Sequence, residues 1–339
     1  MIYPLRIEQL RQRLRDLGAK PCHEDRFLRG WCQVCTYDRA HSPAESFFPL
    51  ALRNHLPAIE AELTDLAQLR SKHSTDEGVA RMLIELSDRQ MVESVLLPRG
   101  GLCVSTQVGC AVECVFCMSG RNGLQRQLGS AEIVAQVVLA RKQRAVNKVV
   151  FMGMGEPAHN LDNVVEAIQL LGTQGNIGHK NLVLSTVGDK RVFERLTQES
   201  IKPALAVSLH TTNPTLRTKL LPNAPLITIQ ELVDRSENYA RATSYPTQYQ
   251  WTLIKGVNDS DDELDNISRL LAGKYALMNF IPFNKVDGLD YQPPSPEKIA
   301  FMVQTLKQRG ILAKIRNSAG QEIEGACGQL RARVEKDIY

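Results

Sequence analysis

Between residues 100 and 330 the chain alternates strand-type apolar runs with helical stretches six times, and this alternation limits its architecture more than any single residue does. The strand candidates are Leu102–Val108, Lys148–Met152, Asn181–Ser185, Ala204–Ser208, Tyr249–Ile254 and Leu277–Ile281. Between them Ser130 precedes a helix over Glu132–Lys142, and Asp162 opens one that ends at Gly172. The capping boxes Thr228-x-x-Glu231 and Ser260-x-x-Glu263 open two more, and Ser295-Pro296 starts a last one that ends at Gly310. Strands that alternate with helices build a parallel sheet. Six such units predict an α/β fold, a partial (β/α)6 parallel barrel, with any active site at the carboxyl ends of the strands.

The loop after the first strand carries Cys110, Cys114 and Cys117 in a C-x3-C-x2-C spacing. Thiolates are soft ligands, so this triplet suits an iron–sulfur cluster or zinc. A structural zinc site normally takes four protein ligands, and three favour a cubane with one iron left open. The spacing resembles the signature of the radical S-adenosylmethionine (SAM) enzymes, whose open iron takes the amino and carboxylate groups of SAM. Other unusual residues follow the later strands. Gly153-Met-Gly155-Glu156-Pro157 follows the second, where glycines permit close backbone approach and a carboxylate can accept from an ammonium. Ser185 ends the third strand, Ser208-Leu209-His210 ends the fourth, and Asn284 follows the sixth. Each is a weak signal alone; together with the cysteines they form one mouth. No Walker loop or G-x-G-x-x-G offers a rival nucleotide site.

Residues 1–90 read as a small, mainly helical accessory region. Leu5, Ile7, Leu10, Leu14 and Leu17 mark an amphipathic helix; further helices are expected over Glu24–Thr36 and Leu50–Leu69, the latter interrupted near Pro57. Its arginines fit a solvated helix surface better than a nucleic-acid site. Cys32 and Cys35, with Cys22, His23 and His41 nearby, lack the second half of a zinc spacing and read as core or incidental thiols. Ala80–Leu86 and Met91–Leu97 form a hairpin leading into the barrel. Glu93, in its second strand, reads from spacing as an edge-exposed carboxylate. Eight cysteines without a secretory signal point to a reducing, cytoplasmic setting. No apolar run approaches a membrane span. A net charge of +4 is compatible with a polyanion partner without requiring one.

Near the C-terminus stands Ala326-Cys327-Gly-Gln-Leu330, a lone cysteine between glycines. With Leu102-Cys103-Val-Ser-Thr-Gln-Val-Gly-Cys110, Phe151-Met-Gly-Met-Gly-Glu156-Pro, Leu184-Ser185-Thr, Ser208-Leu-His210 and Ile281-Pro-Phe-Asn284, it makes the chain resemble the RlmN/Cfr radical-SAM RNA methyltransferases over nearly its whole length. The resemblance implies a division into residues 1–90, an accessory segment contacting RNA, and 91–339, a barrel ending in a catalytic-cysteine loop. It implies a 4Fe–4S cluster on Cys110, Cys114 and Cys117, and SAM held by Gly155, Glu156, Ser185, Ser208, Leu209, His210 and Asn284. Two SAM molecules serve each turnover. The first methylates Cys327; the second, cleaved reductively, yields a radical that takes hydrogen from the S-methyl group. The methylene radical adds to an electrophilic adenine carbon, Glu93 removes the proton from that carbon, and Cys103 attacks Cys327 to release the product as a disulfide forms.

The implied substrates are an adenosine of 23S rRNA, an adenosine of tRNA, or both. The implied partners are an electron donor such as flavodoxin or ferredoxin, and the resemblance suggests a monomer. Glu156-Pro157 favours the RlmN branch, which methylates carbon 2 rather than carbon 8. Three departures from the family pattern bear on the substrate: Met118-Ser119, Ala319 before Gly320, and Leu220-Leu-Pro-Asn-Ala-Pro225. They keep open a divergent radical-SAM enzyme acting on another RNA, a protein or a small molecule, and also an RNA-binding protein that retains a cluster only for structure. Only the methyl-relay reading requires Cys103 and Cys327.

Overall fold

The computed structural model describes residues 4–38 and 42–332, so His41 of the cysteine-histidine group lies outside the described residues. Four helices come first: α1 (Ile7–Asp16), α2 (Pro21–Gln33), the single turn α3 (Ala44–Phe47) and α4 (Leu50–Asp65). Helix α1 buries the expected stripe of Ile7, Leu10 and Leu14. Its arginines are not free surface charges. Arg11 and Arg15 pair with the buried Glu24 of α2, and Arg13 pairs with Glu62 of α4. Helix α2 begins at Pro21 and ends where Val34 turns left-handed, before the expected Thr36. Helix α4 runs through Pro57 without a break, and the residues expected to form its last turn instead start a strand.

That strand, β1 (Gln68–Ser74), continues antiparallel through β2 (Ala80–Glu85), β3 (Met91–Leu97) and β4 (Gly101–Cys103). The expected hairpin is therefore the middle of a sheet. Glu93 on β3 has strands on both sides and is fully buried, not edge-exposed. The run Leu102–Val108 also divides. After β4, Ser105 and Thr106 leave the ladder: Ser105 Oγ donates to the Glu93 carbonyl, and the Thr106 N–H to the Met154 carbonyl. The chain resumes as β5 (Gln107–Gly109), which pairs with β6 (Leu124–Gln127) in a separate hairpin.

The remaining elements are α5 (Ser130–Arg141), β7 (Lys148–Phe151), α6 (Leu161–Gly172), β8 (Leu182–Thr186), α7 (Lys190–Gln198), β9 (Ala204–Ser208), α8 (Pro214–Leu220), α9 (Ile229–Thr243), β10 (Thr247–Leu253), α10 (Asp261–Leu271), β11 (Ala276–Pro282), α11 (Pro296–Gln308) and β12 (Ala313–Ile315). The large sheet runs β1-β2-β3-β4-β7-β8-β9-β10-β11-β12, and its strands from β4 onward are parallel. It contains the six anticipated strands, plus β12 at an edge. Because β1 and β12 are the two ends of the order, the barrel is incomplete. Thr228 and Ser260 cap α9 and α10 as their boxes predict. Ser130 does not cap α5. Glu132 takes that role by accepting from the Gly129 N–H at 2.8 Å, which frees Ser130 Oγ to accept from Ile7 N at 2.8 Å. One apolar core extends from Leu10 and Phe27 through Val134 and Val150 to Phe280, so the first helices and the sheet are packed together. Arg141 of α5 reinforces the junction by donating to the Cys32 carbonyl at 2.7 Å.

Candidate active site at the carboxyl ends of the strands

Strand β5 ends at Gly109, whose φ of 80° and position leave room for no side chain: a Cβ there would lie 2.0 Å from the Gly123 carbonyl oxygen. The chain swings out into the cysteine loop, tightened by a Cys117 N–H to Cys114 carbonyl bond of 3.0 Å. Val112, Phe116 and Met118 anchor the loop in a second apolar cluster with Leu220, Leu221, Phe283 and Val286. Cys110, Cys114 and Cys117 then line one cleft, which opens at the carboxyl ends of the strands. Burial pushes the Cys110 thiol up to about 12 and raises Cys114 well above its ordinary value, with Cys117 and Cys110 adding repulsion. Such a trio ionises only beside strong positive charge, which bound iron supplies. Among the described residues no set of three or more His, Cys, Asp or Glu stands in single-ion geometry. A lone zinc, with Zn–S bonds of about 2.3 Å, would draw its sulfurs to roughly 3.8 Å from one another. A cubane takes each thiolate on a different corner, and three soft donors on one short loop facing one cleft are a donor set it accepts.

Across the cleft is the loop after β7. Gly155 has a φ of 101°, and a Cβ on it would stand 2.6 Å from Gln107 Cβ. Sequence reasoning misses Gln107, because it lies inside a run with the composition of a single strand. Its Oε1 accepts from the Glu156 N–H at 2.7 Å, and its amide donates to Gln127 Oε1 at 2.8 Å. The Glu156 carboxylate accepts from Ala158 N and Val187 N, each at 3.0 Å. Burial pushes this carboxyl up to about 7. Gly155 and Glu156 line the cleft, as do Ser185, Ser208, His210 and Asn284. Leu209 does not; it is buried, and its N–H donates to the Gln250 carbonyl. His210 takes a left-handed φ of 61°, and its Nδ1 accepts from Thr252 N at 3.0 Å. Burial, helped by Arg217, drives its pKa down to about 3. The ring is therefore neutral and carries its hydrogen on Nε2, with Phe116 edge-on at 4.8 Å.

The cysteine near the C-terminus reaches the same mouth. Asn284 Nδ2 donates to the Cys327 carbonyl at 2.8 Å, Met118 N donates to the Gly328 carbonyl at 2.8 Å, and Ser119 Oγ donates to the Leu330 carbonyl at 2.7 Å. Asn284 Oδ1 is buried without a partner among the described residues, an acceptor left over for a bound ligand. Cys327 lines both the main cleft and a second cavity, which also contains Cys103. Burial pushes Cys103 up to about 12, and the neighbouring Cys327 adds to the rise. Glu93 lines neither cavity. Its Oε1 accepts from Arg81 at 2.7 Å and its Oε2 from the N–H groups of Arg331 and Ala332 at 2.7 and 3.0 Å. In this arrangement it clamps the segment that follows Cys327.

An incomplete βα barrel with three cysteines after its first strand and a glycine–glutamate loop after its second defines the class of radical-SAM enzymes. Residues 104–267 match the family model described as the radical SAM superfamily. Over 97% of its length the chain is 68% identical to a protein of Aromatoleum aromaticum named a probable RNA methyltransferase, covering 93% of that protein. It is 63% identical to a protein of the same description from Pseudomonas aeruginosa, with 97% and 96% coverage. A crystal structure of a radical SAM methyltransferase from Sphaerobacter thermophilus superposes with a TM-score of 0.83 at 34% identity, covering 98% of this chain and 99% of that one. The chain belongs to the family of radical-SAM RNA methyltransferases.

Proposed function

We propose that this protein methylates an adenine carbon of 23S rRNA, tRNA or both by way of a methylated Cys327. The observation that carries the reading is the sharing of Cys327 between the cleft of the cluster cysteines and the cavity that holds Cys103. Cys110, Cys114 and Cys117 would hold a 4Fe–4S cluster. Gly155, Glu156, Ser185, Ser208, His210 and Asn284 would hold SAM, with Leu209 shaping the backbone between its neighbours. Bound there, the cluster and two SAM molecules per turnover would supply the electron, the radical and the methyl group. Cys327 carries the one-carbon unit to the base, and Cys103 then displaces the product from it. The methylene radical on Cys327, the base C–H and the Cys103 thiol become one disulfide, a free methylated base, the proton taken by Glu93 and one surplus electron, which would return to the cluster; an external dithiol has to reopen the disulfide. For Glu93 to take the proton from the base, the Arg331–Ala332 backbone has to leave its Oε2. An electron donor of the flavodoxin or ferredoxin type, a cytoplasmic setting, a monomeric state and an RNA-contacting role for residues 1–90 complete the proposal.

Glu156-Pro157 supports carbon 2 as the target. Ala319, one of the departures from the family pattern, lines the cavity beside Cys103, and this favours a second reading in which a related enzyme acts on a different RNA. The test is nucleoside mass spectrometry of separated rRNA and tRNA from cells with and without the gene, any relative in the same genome having been deleted. Loss of one methyladenosine is expected, and the same loss in a strain carrying Cys327→Ala. Unchanged methylation with Cys327→Ala would end the relay reading. Loss of a modification other than methyladenosine would move the second reading forward.

A further inference from the structure

Among the described residues Arg316 is the one permanent cation that lines both the cluster cleft and the Cys103–Cys327 cavity. Its backbone N–H donates to the Phe280 carbonyl at 2.7 Å, which fixes it where β12 leaves the sheet. Among the described residues its guanidinium has only neutral partners: Nη1 donates to Gln250 Oε1 at 2.9 Å, and Nη1 and Nη2 each contact Met152 Sδ at 3.5 Å. Among the described residues no carboxylate pairs with it, whereas many other arginines of the chain, including the partly buried Arg126, are matched by Asp or Glu. Strand alternation places further polar groups on the same inner face. Gln250 pairs with Asn279 and Asn279 with Lys314, two residues before Arg316. Asn279 is fully buried, with both amide atoms unpartnered among the described residues. Among the described residues, the inner face beside Arg316 thus carries amides and cations, of which Gln250 and Arg316 line the cleft.

We propose that Arg316 receives a backbone phosphate of the RNA, next to the nucleotide whose base enters the Cys103–Cys327 cavity. The inference rests on the RNA reading above and deepens it by naming a contact. The planar fork of a guanidinium matches two phosphate oxygens. Gln250 and Met152 hold the Nη1–Nη2 edge of the fork, and among the described residues no protein oxygen takes the Nε edge. The alternative anion in this mouth, the carboxylate of SAM, would also suit a guanidinium. Arg316 stands at the boundary with the second cavity, however, and Asn317, Ser318 and Ala319, which follow it, line that cavity and not the cleft.

The test uses full-length, cluster-loaded protein and two probes, an unmodified tRNA transcript and a transcript of the peptidyl-transferase region of 23S rRNA. Dissociation constants are measured between about 50 and 200 mM salt for wild type, Arg316→Met and Arg316→Lys, and SAM affinity is measured in parallel by equilibrium dialysis. Arg316→Met is expected to weaken binding of the recognised RNA by roughly tenfold and to reduce its salt slope by about 0.7–0.9, the share of one phosphate contact. Arg316→Lys should restore the slope and only part of the affinity, and neither variant should change SAM affinity. If Arg316→Met does not fold, Arg316→Lys still decides, because a wild-type RNA affinity would refute a fork-on-phosphate contact. Weakened SAM binding with an unchanged salt slope would assign the guanidinium to SAM and overturn the proposal. If the wild type binds neither RNA, the RNA reading itself fails, and this inference fails with it.

Discussion

Replacing Glu93 by Gln tests whether this carboxylate clamps the C-terminal segment in the resting enzyme. Glu93 is fully buried and the side chain of its partner Arg81 is 9% exposed, so neither group has water to fall back on. The carboxylate accepts on both oxygens, from Arg81 on one side and from Arg331 N and Ala332 N on the other. Glutamine has the same shape but presents an NH2 to one of those two sides, so a donor meets a donor whichever way the amide turns. Breaking a buried ion pair from one side costs about 3–5 kcal/mol. For a chain of 339 residues, an unfolding entropy of about 2.1 cal/mol/K per residue gives roughly 0.7 kcal/mol/K, so Tm should fall by about 4–7 °C. Differential scanning calorimetry of the cluster-free protein measures this directly. Limited proteolysis should at the same time cut beyond Gly320 sooner than in the wild type, because the segment after Cys327 has lost its tether. A Tm within about 1 °C of wild type, with protection of that segment unchanged, would refute the clamp. A variant that keeps both but loses turnover would leave Glu93 with a purely chemical role.

Three further outcomes follow from the geometry. Burial raises the Glu156 carboxyl from its ordinary value of 4.5 to about 7; the folded state then binds more protons than the unfolded one between those pH values, so stability falls as pH rises across that window, by about 3 kcal/mol in total. Urea titrations at either end of the window should show this loss in wild type and not in Glu156→Gln, and SAM binding to the wild type should tighten as pH rises through about 7. Gly155→Ala must place a side chain at a φ of 101° and 2.6 Å from Gln107 Cβ; strain of about 1–3 kcal/mol and displacement of the Gln107 bond to Glu156 should weaken SAM binding at least about tenfold in equilibrium dialysis, and a change under about twofold would contradict the cradle. In cluster-free protein at about pH 8, iodoacetamide should label the exposed Cys327 well before the buried Cys103, whose thiol near 12 is only about 1 part in 10⁴ thiolate at that pH; peptide mass spectrometry of the two peptides reads the order.

The six-fold alternation of strand and helix was legible because buried parallel strands and capped helices are local patterns, and so were Thr228 and Ser260 as caps. The cysteine spacing, the Gly155-Glu156 loop and the serine and histidine at strand ends could be placed in one mouth because parallel topology brings every strand's carboxyl end to the same side. What misled was also local. Leu102–Val108 has the composition of one strand but breaks at Ser105 and Thr106, which bond to the Glu93 and Met154 carbonyls on other strands and loops. Leu69 ends a helix-like run, yet it pairs with Ile84 as part of β1, because the open edge of β2 recruits the segment into the sheet.

The order of residues was enough to show which chemistry is available: three soft thiols in one loop, a carboxylate between a glycine and a proline, and two further cysteines far apart in the chain. Covalent spacing and residue type decide such things before the chain folds. Which of these groups meet follows from the packing of the folded chain. It brought Cys103 and Cys327 to one cavity from opposite ends of the barrel segment, turned Glu93 from an apparent surface charge into a buried clamp, and set Gln107 against Glu156. It also left Arg316 without a counterion, among the described residues, between the two cavities. Those outcomes depend on desolvation and on long-range hydrogen bonds, which exist only once the sheet has closed over them.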